Sequence, residues 1–380
     1  MNPLKIRFKI SYNIYQGDFM YNYYNNLNPE IKEYFSILSN DFPEWLHEYI
    51  NTPEMQRINK ISMSCGTDYS KCFNVKYFYS NLDHSVGVAL IIWHFTHDKK
   101  QTLAGLFHDI ATPVFKHCID FMNGDSENQE STEEKTTEII KNSKSIMSLL
   151  ERDDISLEEI NDYKIYPIAD NDTPKLSADR FEYTFSSGLT FFRVWELNNI
   201  RKIYNNIIIS KNEDSIDELT FKDKEICEEY IDIISRLWPE WISYKDKIVM
   251  QFLADICKSM SNAGYLTIDD LYILSEQEII NKILTCNDLY IIKSLKSFLE
   301  TNKVYTSPIM IQNKYCVNQK TKTRYINPLV QTKFGSKRIT EISKKSKDKI
   351  ENYLKIKNDN YIYFDFDFKP YEKSKQKIIK

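Results

Sequence analysis

FHDIATPVFKHCID, residues 107–120, places two of the chain's six histidines, two aspartates and a proline within fourteen mostly apolar residues. Polar groups stand here where a helix would bury hydrocarbon. His108 and Asp109 close the apolar helical pattern QTLAGLFHDI (101–110), and Pro113 then breaks the backbone, so both side chains fall where a helix opens into a pocket. Burying a polar group without a partner costs roughly 2–7 kcal/mol, and a charge more. Two arrangements satisfy the pair. His108 can cap one helix and Asp109 the next, or the imidazole and carboxylate can be half of the ligand set of a divalent metal ion.

Outward from this stretch, apolar residues recur at three- and four-residue intervals through PEIKEYFSILS (29–39), TPEMQRINKISM (52–63) and DHSVGVALIIWHF (83–95), which predicts helices of two to four turns. Ser131 and Glu134 form a capping-box signature after the polar loop 123–131. Helical patterns resume at KLSADRFEYTFS (175–186) and end near residue 300. Beyond it, KVYTSPIMIQNKYCVNQKTKTRYINPLV alternates polar with β-branched and aromatic residues around an NQKT turn, as a hairpin would. A helix through ITEISKKSKDKIENYLKI and a strand YIYFDFDF follow. The expected fold is mainly α: a helical domain over residues 1–300 and a small α+β accessory module over 301–380.

With 42% hydrophobic and 14% aromatic residues, 380 residues suffice for a large core. No apolar run approaches the ~20 residues that cross a bilayer, and no secretory signal is evident, so a cytoplasmic protein without a membrane partner is expected. Seven scattered cysteines without a CxxC pair argue against a disulfide framework and a structural zinc site. Residues 301–380 hold 19 Lys and Arg against 7 Asp and Glu, about +12, leaving about −16 for the remainder. Such asymmetry suits a nucleic-acid or nucleotide surface, docking on an acidic neighbour, or a solvated lysine-rich face.

His84, His108–Asp109 and Asp179, in the order H…HD…D, resemble the ligand pattern of the HD-domain metal-dependent phosphohydrolases. TPEMQR (52–57), DHSVGVA (83–89) with HDIATPVFKH (108–117), and ADRFEY (178–183) resemble more narrowly the deoxynucleoside triphosphate triphosphohydrolases, over roughly residues 50–200. The resemblance implies an HD-domain helical fold in which those four residues hold one divalent metal ion. Two His and two Asp do not select among Mn, Fe, Ni, Zn and Mg. His94 and His97 lie ~15 Å along the helix from His84, too far to hold a second ion beside it. It also implies that His117 and Asp120, three residues apart on one helical face, form an acid–base dyad, and that Arg180 and Tyr183 contact phosphate. Arg57 either joins them or braces its helix. Glu133 is a candidate second proton-handling group or an ordinary first-turn glutamate.

The resembled triphosphohydrolases carry histidines where this chain has Thr112 and Thr132, an arginine at Asn81, and an arginine–aspartate pair at Ser186–Ser187. Substrate identity is therefore not carried over. The resulting expectation is a metal-dependent phosphohydrolase acting on a nucleotide or other small phosphate ester, in a homo-oligomer, with nucleic acid a candidate partner of the basic C-terminal region. The alternative is a catalytically silent HD scaffold that binds nucleotide or nucleic acid for regulation.

Overall fold

The computed structural model describes residues 23–129 and 135–372. Three short helices open this part of the chain, α1 (Pro29–Leu38), α2 (Glu44–Ile50) and α3 (Pro53–Ile58). Proline begins α1 and α3, where its missing N–H would have had no intrahelical partner. α4 (Asn81–Thr96) is the central helix. Every residue from Asn81 to Ile92 is buried, which explains why its apolar side chains point in all directions rather than in one stripe. A reciprocal capping box fixes its start: Ser80 Oγ accepts from the Asp83 N–H at 3.0 Å, and the Asp83 carboxylate accepts from the Ser80 N–H at 2.8 Å.

A left-handed residue, His97 (φ 50°), and the cap Asp98 reverse the chain into α5 (Lys99–Phe107). Gly105 lets the two helices approach closely, because a Cβ there would stand 2.2 Å from an Ile92 methyl carbon. This antiparallel hairpin brings the first turn of α4 beside the last turn of α5. α6 (His117–Asn123), α7 (Thr136–Asn142) and α8 (Lys144–Arg152) follow, then α9 (Ala178–Thr190), which packs on α4, and α10 (Leu197–Tyr204).

A hairpin absent from the sequence expectation comes next, β1 (Ile207–Lys211) and β2 (Asp217–Phe221). Helices resume with α11 (Lys224–Ile234), α12 (Trp238–Trp241), the long α13 (Tyr244–Asn262), α14 (Asp270–Ile273), α15 (Glu276–Thr285) and α16 (Leu289–Glu300). The C-terminal part contributes β3 (Tyr305–Ser307), β4 (Cys316–Val317), β5 (Leu329–Thr332), β6 (Gly335–Arg338), α17 (Ile339–Ile342), α18 (Lys344–Leu354) and β7 (Tyr361–Tyr363). The chain is mainly α-helical with a small α+β region towards its C-terminus.

The hairpin expected around NQKT does not form. β3 and β4 both pair with β7 instead of each other, giving the order β3-β7-β4, while the two-strand turn of this region lies between β5 and β6. β5 runs parallel to β2, so a four-stranded sheet β1-β2-β5-β6 joins residues 207–221 to residues 329–338. Long-range pairing decided what alternation alone could not. The Ser131–Glu134 capping box lies outside the described residues.

Two hydrophobic cores result. The larger gathers α1 to α5, α8 to α11 and β2; the second gathers α6, α13, α15, α16 and the aromatic run Phe364–Phe368. No helix among the described residues is long and apolar enough to cross a membrane.

Candidate metal centre

A cavity of about 620 Å³ opens at the seam between the two cores, with His84, His108 and Asp179 on one wall and His117, Asp246 and Met250 on the other. That volume is in the range of small-molecule sites, ~300–1,000 Å³. The hairpin of α4 and α5 sets His84 Nε2 and His108 Nε2 3.2 Å apart. Asp109 Oδ2 lies 3.9 Å from His84 Nε2 and 3.7 Å from His108 Nε2. Asp179, in the first turn of α9 behind the cap Ser177, places Oδ1 3.1 Å from His84 Nε2 and 3.7 Å from His108 Nε2. Residues from three separated segments thus converge on one point.

Both imidazoles are oriented from behind. His108 Nδ1 lies 2.7 Å from the Gly105 carbonyl, to which it can only donate, so its Nε2 lone pair faces the cluster. His108 therefore also caps the end of α5, and capping and cluster membership coincide in one side chain. His84 Nδ1 bonds the fully buried Glu182 carboxylate, which also accepts from Tyr79 Oη at 2.6 Å, Tyr34 Oη at 3.2 Å and Ser186 Oγ at 3.1 Å. Gly87 makes this possible, since a Cβ there would stand 2.8 Å from Glu182 Cγ and Oε1.

Burial opposes charge on His84, yet Glu182 and Asp179 raise it to about 9. Burial likewise opposes ionisation of Asp179, but His84 and His108 hold it at about 2. Against the same burial, Lys116 and both histidines hold Asp109 far below the usual carboxylate range. Lys116 is itself buried, with Nζ 2.9 Å from Asp109 Oδ2 and 2.6 Å from Asn81 Oδ1. Its backbone sits at φ 45° after Phe115 at φ 63°, an uncommon pair for residues with a Cβ and a place where strain fixes a side chain.

The donor set fits a divalent cation. Two imidazole nitrogens and two carboxylates face one another, and His84, His108 and Asp109 have ligand atoms all within 4.8 Å of one another, so a bound cation would take the place of the proton that the carboxylates hold on His84. The fold is shared with two solved structures of low sequence identity. A structure of a phosphohydrolase from Bacteroides thetaiotaomicron VPI-5482 superposes with a TM-score of 0.58 at 14% identity, over 85% of this chain and 96% of that one. A hypothetical protein from Aquifex aeolicus does so with a TM-score of 0.59 at 17% identity, over 85% and 93%. In sequence, the uncharacterized protein YdhJ of Bacillus subtilis (strain 168) is 23% identical over 289 residues, 75% of this chain and 83% of its own length. No protein-family profile matches the chain.

The other residues singled out in the sequence divide. His117 lines the cavity, with Nδ1 3.0 Å from Oδ2 of the fully buried Asp120 and with Nε2 on the cavity side. Tyr183 lines it too, one turn beyond Asp179 on the same face of α9, and burial raises its hydroxyl to about 12. Arg180 lines the cavity but is turned into the loop before α9, donating to the Lys175 carbonyl at 2.7 Å and to Asn171, and pairing with Asp170 at 3.1 Å. Arg57 is not at the cavity. Its Nη2 donates to the carbonyls of Ile110 at 2.9 Å and Thr112 at 2.8 Å, bracing the loop that carries Asp109. Glu133 and Thr132 lie outside the described residues. His47, His94 and His97 do not line the cavity.

Four cavity neighbours escaped the sequence reading. Glu182 stands three residues after Asp179 within ADRFEY, and that helical spacing was the available signal. Lys116 stands inside the opening fourteen-mer. Asp246, on α13, is raised to about 7 by burial despite nearby Arg324 and Lys245. Arg324 reaches the cavity from the C-terminal region, with Nη2 2.6 Å from Gln129 Oε1 and 3.4 Å from His117 Nε2. No local pattern marks either of these last two.

Proposed function

We propose that this chain is a metal-dependent phosphohydrolase acting on a small phosphate ester, with a nucleotide as the substrate class. The observation that carries the reading is the convergence of His84, His108, Asp109 and Asp179 at one point in a cavity that is also lined by His117, backed by the buried Asp120. These four residues would hold one divalent ion. Bound there, such an ion supplies neutralisation of phosphate charge and a lowered pKa for water.

The chain's own groups do the rest. Glu182 and the Gly105 carbonyl hold the two imidazoles in the tautomer that turns Nε2 inward. Lys116 fixes the Asp109 carboxylate and adds positive charge where a phosphate would approach. Asp120 holds His117 by Nδ1, leaving Nε2 to exchange a proton with the leaving or attacking oxygen. Burial, together with Arg324 and Lys116, lowers His117 below its ordinary 6.5 against the pull of Asp120, so it stands neutral at pH 7 as a proton acceptor. Tyr183 presents a protonated phenol to the same space.

The test is a nucleotide and phosphomonoester panel with purified protein supplied with Mn, Fe, Ni, Zn or Mg in turn. Release of phosphate or polyphosphate that Asp109→Ala abolishes is expected. Silence across panel and metals would overturn the hydrolase reading.

A further inference from the structure

We propose that Arg324, carried by the segment between β4 and β5, is a phosphate-binding residue of the cavity, so that the C-terminal region takes part in choosing a substrate with a second anionic group. The inference rests on the phosphohydrolase reading of the same cavity.

A guanidinium group partly withdrawn from water, as that of Arg324 is, gains from a nearby anion, because desolvation leaves its charge less compensated. Three other cations lining this cavity have one: Lys116 pairs with Asp109, Lys175 with Asp214 and Arg180 with Asp170. Arg324 has no ion pair among the described residues. Its contacts there are the amide oxygen of Gln129 and the imidazole of His117, both neutral acceptors. Gln129 is in turn held by Nε2, which donates to the Ser126 carbonyl and to Thr321 Oγ1, each at 3.1 Å. The planar fork is thus aimed beside the proton-handling imidazole, and although the Asp246 carboxylate across the cavity feels its charge, no carboxylate among the described residues forms an ion pair with it. A phosphate oxygen is the partner for which such a fork is built, through paired charge-assisted hydrogen bonds.

Arg180, implied at phosphate by the resemblance, and Arg57, a candidate for phosphate or for bracing, both donate to backbone carbonyls away from the metal cluster. Asn81 and Thr112 contribute no charge and bond each other at 3.1 Å. Arg324 therefore supplies on the His117 side the cationic contact that those positions do not. A substrate spanning from the metal cluster to Arg324 must carry anionic groups at two places, as a pyrophosphate or triphosphate ester does.

The experiment measures binding of inorganic pyrophosphate and tripolyphosphate by titration calorimetry to the full chain, metal-loaded and after chelation, for wild type, Arg324→Gln, Arg324→Lys and Gln129→Glu. Wild type is expected to bind tripolyphosphate, Arg324→Gln to weaken it on the order of 10-fold or more, and Arg324→Lys to recover part of the loss. Gln129→Glu keeps the arginine but pairs it with a carboxylate, and should weaken binding as Arg324→Gln does while the melting temperature holds or rises. Unchanged affinity in Arg324→Gln and Gln129→Glu, or no binding by wild type, overturns the proposal. Turnover of the nucleotide panel is scored separately. Arg324-dependent binding without turnover removes the hydrolase reading alone, whereas turnover whose KM ignores Arg324→Gln removes the Arg324 assignment alone.

Discussion

Replacing Gly87 by alanine should loosen the cluster from behind without touching any ligand. The added Cβ would lie 2.8 Å from Glu182 Cγ and Oε1 and 3.1 Å from Cδ. Carbon contacts settle near ~3.5–4.0 Å, so the carboxylate or α4 must retreat by ~0.7–1.2 Å. The carboxylate is not loose: Tyr79, Tyr34, Ser186 and His84 all hold it, and the Tyr34 and Ser186 bonds, at 3.2 and 3.1 Å, would stretch past hydrogen-bonding range. Overpacking of this kind costs up to about 3 kcal/mol, while alanine in place of glycine in a helix returns about 1 kcal/mol. The net is a loss of about 2 kcal/mol. For a chain of this size, with an unfolding entropy of ~2 cal/mol/K per residue, the melting temperature should fall by about 2–3 °C. The larger effect should be on metal affinity, since disturbing the group that orients a ligating histidine weakens binding by about 10–100-fold. Calorimetric melting and Mn2+ titration read both. A variant at least as stable as wild type with unchanged metal affinity would refute the reasoning.

Glu182→Gln keeps the shape but removes the charge behind His84, and should weaken metal binding by about 10–100-fold; an affinity within twofold of wild type, by the same titration, would contradict it. Arg57→Ala leaves the Ile110 and Thr112 carbonyls without their donor, and should cost about 2–3 kcal/mol of stability in denaturant unfolding. His117 is expected to titrate below 6.5 in the folded chain, followed by NMR of its ring protons. Because the folded form binds this proton less readily than the unfolded form, its contribution to stability is complete above pH 6.5 and is lost as the pH falls below it. A midpoint above 6.5 would show that Asp120 outweighs burial and the neighbouring cations.

The helical architecture was legible because its signals are local. The periodicity of residues 83–95 and 101–110, read with Pro113, marked the helices and the break that now carry His84, His108 and Asp109. Asp179 was legible only through the resemblance to the H…HD…D pattern, since its own helical periodicity marks no ligand. The sheets were not, because β5 finds its parallel partner β2 more than 100 residues earlier in the chain, and β3 and β4 meet through β7 rather than through the turn between them. Arg57 and Arg180 show a second limit. The resemblance suggested phosphate for Arg180 and left Arg57 between phosphate and bracing, and the loops at 110–112 and 170–175 present carbonyls to which both guanidinium groups donate. Arg324 shows the converse, a residue with no motif around it that tertiary packing sets beside His117.

Metal stoichiometry tests the central claim most directly. Elemental analysis of the purified chain after loading and desalting should find one divalent ion per chain, and none in His108→Ala or Asp179→Ala proteins that retain the wild-type circular dichroism. Substoichiometric metal in wild type, or full retention in both variants, would mean that the four side chains gather for structural reasons alone.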